Sequence, residues 1–177
     1  MTGAGERAAP DIDPLLFRRT MGCFATGVTV ITARDGTGYR GMTANAFMSG
    51  SLSPPLCVVS VAKRAHMHAL LLSAEAFGVS ILAEDQEDAS THFAGRGAPD
   101  FSPAMDESGQ VPLLVGASAR ISASMAARHD CGDHTLFIGR ILTMEASGRR
   151  PLLYHAGSYA SLARPGAAHH VPAPEFW

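Results

Sequence analysis

The apolar pattern divides the chain into short extended runs separated by glycine and proline. Residues 28–33 (VTVITA) are β-branched and mostly apolar, and Asp35-Gly36 with Gly38 supply turn chemistry before a second extended run from Tyr39, which predicts a hairpin. Residues 56–62 (LCVVSVA) are almost unbroken apolar between Pro54-Pro55 and Lys63-Arg64, the pattern of a strand buried on both faces. Residues 77–83 (FGVSILA), 111–124 and 134–146 read as further strands.

Helical signals are fewer. Asp13 before Pro14 is an N-cap and first-turn pair, and Phe17, Met21 and Phe24 follow at near-helical spacing, so a short helix is predicted, ended by Gly27. Residues 66–76 are rich in Ala and Leu and predict a second helix. Asp85 is expected to cap a third over 86–93, with Glu87 and Asp88 in its first turn and Gly95 at its end. Residues 96–110 read as a surface loop.

The strands arrive in runs rather than in β-α alternation. This predicts a mainly β domain, a largely antiparallel barrel carrying a few short helices. The 177 residues fit one domain over 14–163, preceded by a loose arm (1–13) and followed by an extended tail (164–177). Phe176 and Trp177 at the tail's end are suited to docking on this chain or a second copy.

Composition narrows the function classes. With 14 Lys and Arg against 16 Asp and Glu the formal charge is -2, so no bulk electrostatic attraction to nucleic acid or acidic membrane is expected. No window reaches the roughly 18 consecutive apolar residues of a membrane helix, and the N-terminal stretch has no apolar signal core. Cys23, Cys57 and Cys131 share no CxxC spacing and read as buried, reduced thiols in a cytoplasmic protein.

Motifs remove several chemistries. GxGxxG, GxxxxGK[ST] and GxSxG are all absent. His129, Asp130, Cys131, Asp133 and His134 put five potential metal ligands into six positions, but a second cysteine pair and HExxH spacing are missing; a structural turn or an organic-ligand contact is the preferred reading, and no metal is expected. Lys63 and Arg64 stand at the end of an apolar strand and the start of a helix, where cations and free N–H groups together suit a phosphate. His66 and His68 just beyond offer added positive potential, though such residues are more often solvated at a helix start, the preferred reading.

Several ordered segments carry a resemblance. FATGVTVIT (24–32), GMTANAFMSGSLSPP (41–55), VVSVAKR (58–64), FGVSILAEDQ (77–86), HFAG (92–95), GDHTLFIGR (132–140) and PLLY (151–154) together resemble the flavin reductase-like domain family over about residues 14 to 160. The resemblance implies a split β-barrel with a Greek-key core, usually a homodimer, and the reduction of FMN or FAD by NADH or NADPH for delivery to a separate monooxygenase.

It also implies a site. Thr43, Ala44 and Asn45 would lie along the flavin ring and ribityl chain, Ser49 and Ser51 would add hydrogen bonds, and Ala62, Lys63 and Arg64 would lead into the phosphate site. Gly132, Asp133 and His134 would meet the nicotinamide nucleotide, with His134 orienting it or carrying a proton. The family commonly has Ser and Thr just after the Lys-Arg pair; this chain has Ala65 and Met67. Besides reduction of diffusible flavin, the resemblance admits a permanently bound flavin that reduces another acceptor, and a non-enzymatic flavin-binding module.

Overall fold

Asp13 accepts a hydrogen bond from the Leu15 N–H at 3.0 Å and Pro14 takes the first helical position, so helix α1 (Pro14–Gly22) begins where the sequence asks. The structure is a computed structural model that describes residues 12–163. After α1 come β1 (Thr26–Gly27), β2 (Thr29–Arg34), β3 (Tyr39–Ala44), β4 (Phe47–Ser51) and β5 (Leu56–Ala62). Then follow α2 (His66–Ser73), β6 (Ala76–Ile81) and α3 (Glu87–Phe93). The chain continues through β7 (Met105–Asp106), β8 (Leu113–Leu114), β9 (Ala119–Cys131), β10 (His134–Ala146), β11 (Leu153–His155) and β12 (Ser158–Ala160).

Seven strands form one sheet in the order β3-β2-β6-β9-β10-β5-β4, every neighbouring pair antiparallel. Its two edges, β3 and β4, are consecutive in the chain and separated only by Asn45 and Ala46. The sheet therefore curls until its rims meet at that corner. β1, β11 and β12 make a smaller sheet, and β7 pairs with β8. The mainly β, antiparallel class expected from the sequence is the class observed.

Packing follows the strand period. In β2, Ile31 enters one apolar cluster with Val59, Val61, Phe77 and Phe137, while Val30 enters a second with Val28, Leu82, Leu114 and Leu152. Each of the fully buried phenylalanines contributes about 1.5–3 kcal/mol by leaving water. Gly139 makes room for one of them: a Cβ there would stand 2.5 Å from Phe77 Cζ and 2.8 Å from Ala123 Cβ.

Several expectations are corrected. The first helix ends at Gly22, not Gly27, and no residue on it is buried; Phe17, Met21 and Phe24 are all exposed. β5 alternates, with Cys57, Val59 and Val61 buried and their neighbours half-buried, because only one face of the curled sheet meets the core. Gln86, not Asp85, is the cap residue of α3, since Arg149 holds the Asp85 carboxylate at 2.5 Å. Cys23 and Cys131 are exposed and only Cys57 is buried. The 96–110 loop contains the short strand β7. Apart from Ile12 and Asp13, the expected arm 1–13 and tail 164–177, including Phe176 and Trp177, lie outside the described residues.

Candidate functional site

The end of β3 is tied to the rest of the molecule by hydroxyls. Thr43 Oγ1 donates to the Ser90 carbonyl on α3 at 2.6 Å, the Ser90 hydroxyl meets the Tyr159 hydroxyl at 2.7 Å, and Thr29 Oγ1 donates to the Ala44 carbonyl at 2.7 Å. Tyr159 in turn packs edge-to-face on Tyr154 at 5.7 Å. Between these elements lies an open cavity of about 210 Å³ lined by Thr43, Ala44 and Asn45 together with Ser90, Arg96, Tyr154 and Tyr159. The Thr43 hydroxyl is committed to Ser90, so this strand offers a ligand its backbone, the exposed Asn45 side chain and flat tyrosine walls.

A second group of residues gathers where β5 ends. Register pairs Ala62 with His134, and the Lys63 N–H donates to the Asp133 carbonyl at 2.9 Å. Gly132, with φ 60°, opens the two-residue loop between β9 and β10, the left-handed position that favours glycine. The Lys63 ammonium stands 3.5 Å from an Asp130 carboxylate oxygen. Asp133 and His134 are joined at 2.7 Å between Oδ1 and Nδ1. This hydrogen bond, then the charge of His134 and, more weakly, that of Arg64, holds the Asp133 carboxyl below its ordinary range. An ionised carboxylate only accepts, so Nδ1 carries the proton and Nε2 is the ring nitrogen left for a ligand.

Helix α2 begins immediately afterwards. Its cap residue Ala65 has extended backbone and supplies no side-chain hydrogen bond; its carbonyl takes the His68 N–H at 2.9 Å, which leaves the His66 and Met67 N–H groups uncapped beside two exposed cations, Lys63 and Arg64. That donor set fits a phosphate. Met67 is buried in the main core cluster, so position 67 faces the interior and fills core volume.

The two groups of residues share one end of the sheet. Ser60 donates its N–H to the Ala46 carbonyl at 3.0 Å, which sets the Asn45-Ala46 corner level with Ser60 and Val61. Lys63 is two to three residues further on, roughly 7–10 Å at the rise of a strand.

Each residue singled out in the sequence has a definite place. Thr43, Ala44 and Asn45 line the cavity; Ala62, Lys63 and Arg64 adjoin Gly132, Asp133 and His134. Ser49 and Ser51 lie on edge strand β4, on either side of a register shift, and do not line that cavity. Among the described residues, no three His, Cys, Asp or Glu side chains converge as metal ligands, the 129–134 segment included. His68, expected to be solvated, is instead buried: its Nε2 meets Thr135 Oγ1 at 2.9 Å and its ring packs edge-on against Phe137. Sequence reasoning gave no role to Ser90, Arg96, Tyr154 or Tyr159. Their only signal was that HFAG and PLLY stand beside or contain two of them.

Comparison with known proteins gives the family. The model of the "Flavin reductase like domain" matches residues 21–163. The NADH-dependent flavin reductase of a Rhodococcus species is 42% identical over 166 residues, covering 92% of this chain and 94% of its own. The reductase component of 4-hydroxyphenylacetate 3-monooxygenase from Thermus thermophilus is 42% identical over 150 residues, covering 84% of this chain and 97% of its own. A solved structure, the NADH:FAD oxidoreductase of Streptomyces globisporus in complex with NAD and FAD fragments, superposes with a TM-score of 0.80 at 38% identity, covering 93% of this chain and 100% of the other. The chain belongs to the flavin reductase-like domain family.

Proposed function

We propose that this protein is an NADH-dependent flavin reductase that reduces diffusible FMN or FAD and supplies the reduced flavin to a separate monooxygenase. The observation that carries the reading is the shared sheet end. A cleft edged by strand backbone and tyrosine rings lies a few residues from an uncapped helix start with two exposed cations, which suits a molecule with a flat body and an anionic end. Bound flavin takes a hydride at N5 from C4 of the nicotinamide, and a solvent proton completes the reduction.

The chain's own work is positional. The backbone of Thr43, Ala44 and Asn45 holds the ring and ribityl chain, while Lys63, Arg64 and the first turn of α2 hold the phosphate, with Ala62 leading into it. Gly132 and Asp133 fix His134, whose Nε2 orients the nicotinamide. No side-chain nucleophile is required.

The curled sheet with its seam between β3 and β4 supports the split-barrel description of the 14–163 domain. Helix α1, with no buried residue, supports a homodimer in which a second copy covers Leu15, Leu16, Phe17 and Met21. Three unpaired cysteines fit a reducing cytoplasm. Anaerobic mixing of protein, NADH and excess FMN tests the activity: bleaching of free flavin over many turnovers is expected, and an unchanged flavin spectrum over the same period refutes it.

A further inference from the structure

The two cations proposed for the flavin phosphate already face carboxylates of the β9–β10 turn. The Lys63 ammonium stands 3.5 Å from Asp130 Oδ2, while the Lys63 main chain is held by the Asp133 carbonyl. Asp130 is next to last in β9 and opposite Thr135 in the register. Its Oδ1 lies a long 3.5 Å from the buried Thr135 hydroxyl, which His68 Nε2 meets at 2.9 Å, so Oδ2 is the oxygen left for Lys63. Arg64 has a weaker counterpart in Asp133, a carboxylate engaged first by His134.

The Lys63–Asp130 pair is no structural clamp. The Asp130 side chain is 82% exposed and that of Lys63 42%, and an ion pair this wet contributes little to stability. Its consequence is for a ligand. A phosphate carrying close to two negative charges has to share the ammonium with the carboxylate and to sit beside a like charge. A lysine ammonium is a compact charge on a flexible stem, so it is drawn to both anions and its attraction is divided between them.

We propose that Asp130 sets the affinity for flavin phosphate: its carboxylate competes for the Lys63 ammonium and keeps the flavin exchangeable. The inference rests on the flavin reductase reading and deepens it. A flavin that serves as a diffusible substrate must leave once per turnover, and a phosphate held against a resident carboxylate leaves faster than one held by the same cations alone. Asp130 does not line the ring cavity. It acts through Lys63, so a flavin without a phosphate does not feel it.

The test uses four forms of the full chain: wild type, Asp130→Asn, Lys63→Ala and the two combined. Both side chains are exposed, so folding is not at stake. Each form is titrated with FMN and, separately, with riboflavin, without nicotinamide nucleotide, following flavin fluorescence. Asp130→Asn should tighten FMN binding by about threefold to fivefold, slow FMN release in stopped flow to match, and leave riboflavin affinity unchanged. In the Lys63→Ala background the same substitution should have no effect. FMN binding that is unchanged or weaker in Asp130→Asn overturns the inference, and so does a tightening that extends to riboflavin or survives the loss of Lys63. A wild type that still reduces flavin keeps the underlying reading intact in each of those cases. One that neither binds nor reduces flavin removes the reading and the inference together.

Discussion

The Lys63 N–H donates to the Asp133 carbonyl at 2.9 Å, binding the end of β5 to the β9–β10 turn. One main-chain bond thus joins the segment proposed to hold flavin phosphate to the one proposed to meet the nicotinamide. Because it is made by backbone, it survives side-chain truncation, and the two roles are separable by mutation.

Lys63→Ala with Arg64→Ala is expected to raise the KM for flavin roughly tenfold, the scale of losing exposed charge-assisted contacts. The KM for NADH should stay within about twofold, because the turn remains anchored by the main chain. Steady-state kinetics with each substrate varied in turn checks this. An unchanged flavin KM refutes the phosphate role.

His134→Ala is expected to act on the nicotinamide step, lowering kcat/KM for NADH with little effect on flavin binding. Loss of thermal stability alone would make His134 a turn residue. Its partner Asp133 sets a pH signature. A carboxyl held low in the folded state stabilises that state above its unfolded pKa, and the contribution is lost as pH falls through the folded value. The small difference in urea midpoint between wild type and Asp133→Asn should therefore be present at neutral pH and shrink as the pH falls below the ordinary carboxyl range. A difference that persists at the acid end contradicts the pairing.

Gly139→Ala tests the core. An added methyl meets both Phe77 and Ala123, and overpacking of this kind costs about 1–3 kcal/mol. Urea unfolding should show that loss. A variant as stable as wild type would mean that Phe77 has room to move.

Much of this was legible in the sequence. β5 runs over the expected residues because Pro54-Pro55 and Lys63-Arg64 punctuate both its ends, and β10 begins at His134 because Gly132-Asp133 is a good two-residue turn. Local chemistry sufficed there. It misled at Asp85, a sound capping residue that Arg149 draws away across the sequence, and at His68, whose burial depends on Thr135 and Phe137 of a distant strand. The cavity's remaining lining was illegible for the same reason. Ser90 reaches Thr43 and Tyr159 only because the sheet curls, and no local pattern records separations of 47 and 69 residues.

Helix α1 shows what one chain leaves unfinished. Its periodic Phe17 and Met21 were correctly read as a helix face, yet within one copy that face meets water. Sedimentation equilibrium should find a dimer, and Leu16→Glu with Phe17→Glu should shift it to monomer without unfolding, since neither residue is buried within one copy. A wild type that sediments as a monomer at micromolar concentration overturns the dimer.

The most direct measurement is NADH oxidation as a function of added flavin. Purified protein should be colourless and nearly inactive alone, and the rate should rise to saturation with FMN or FAD supplied well above the enzyme concentration, with many turnovers per protein. A yellow protein that oxidises no NADH at any flavin concentration would contradict the proposed reductase.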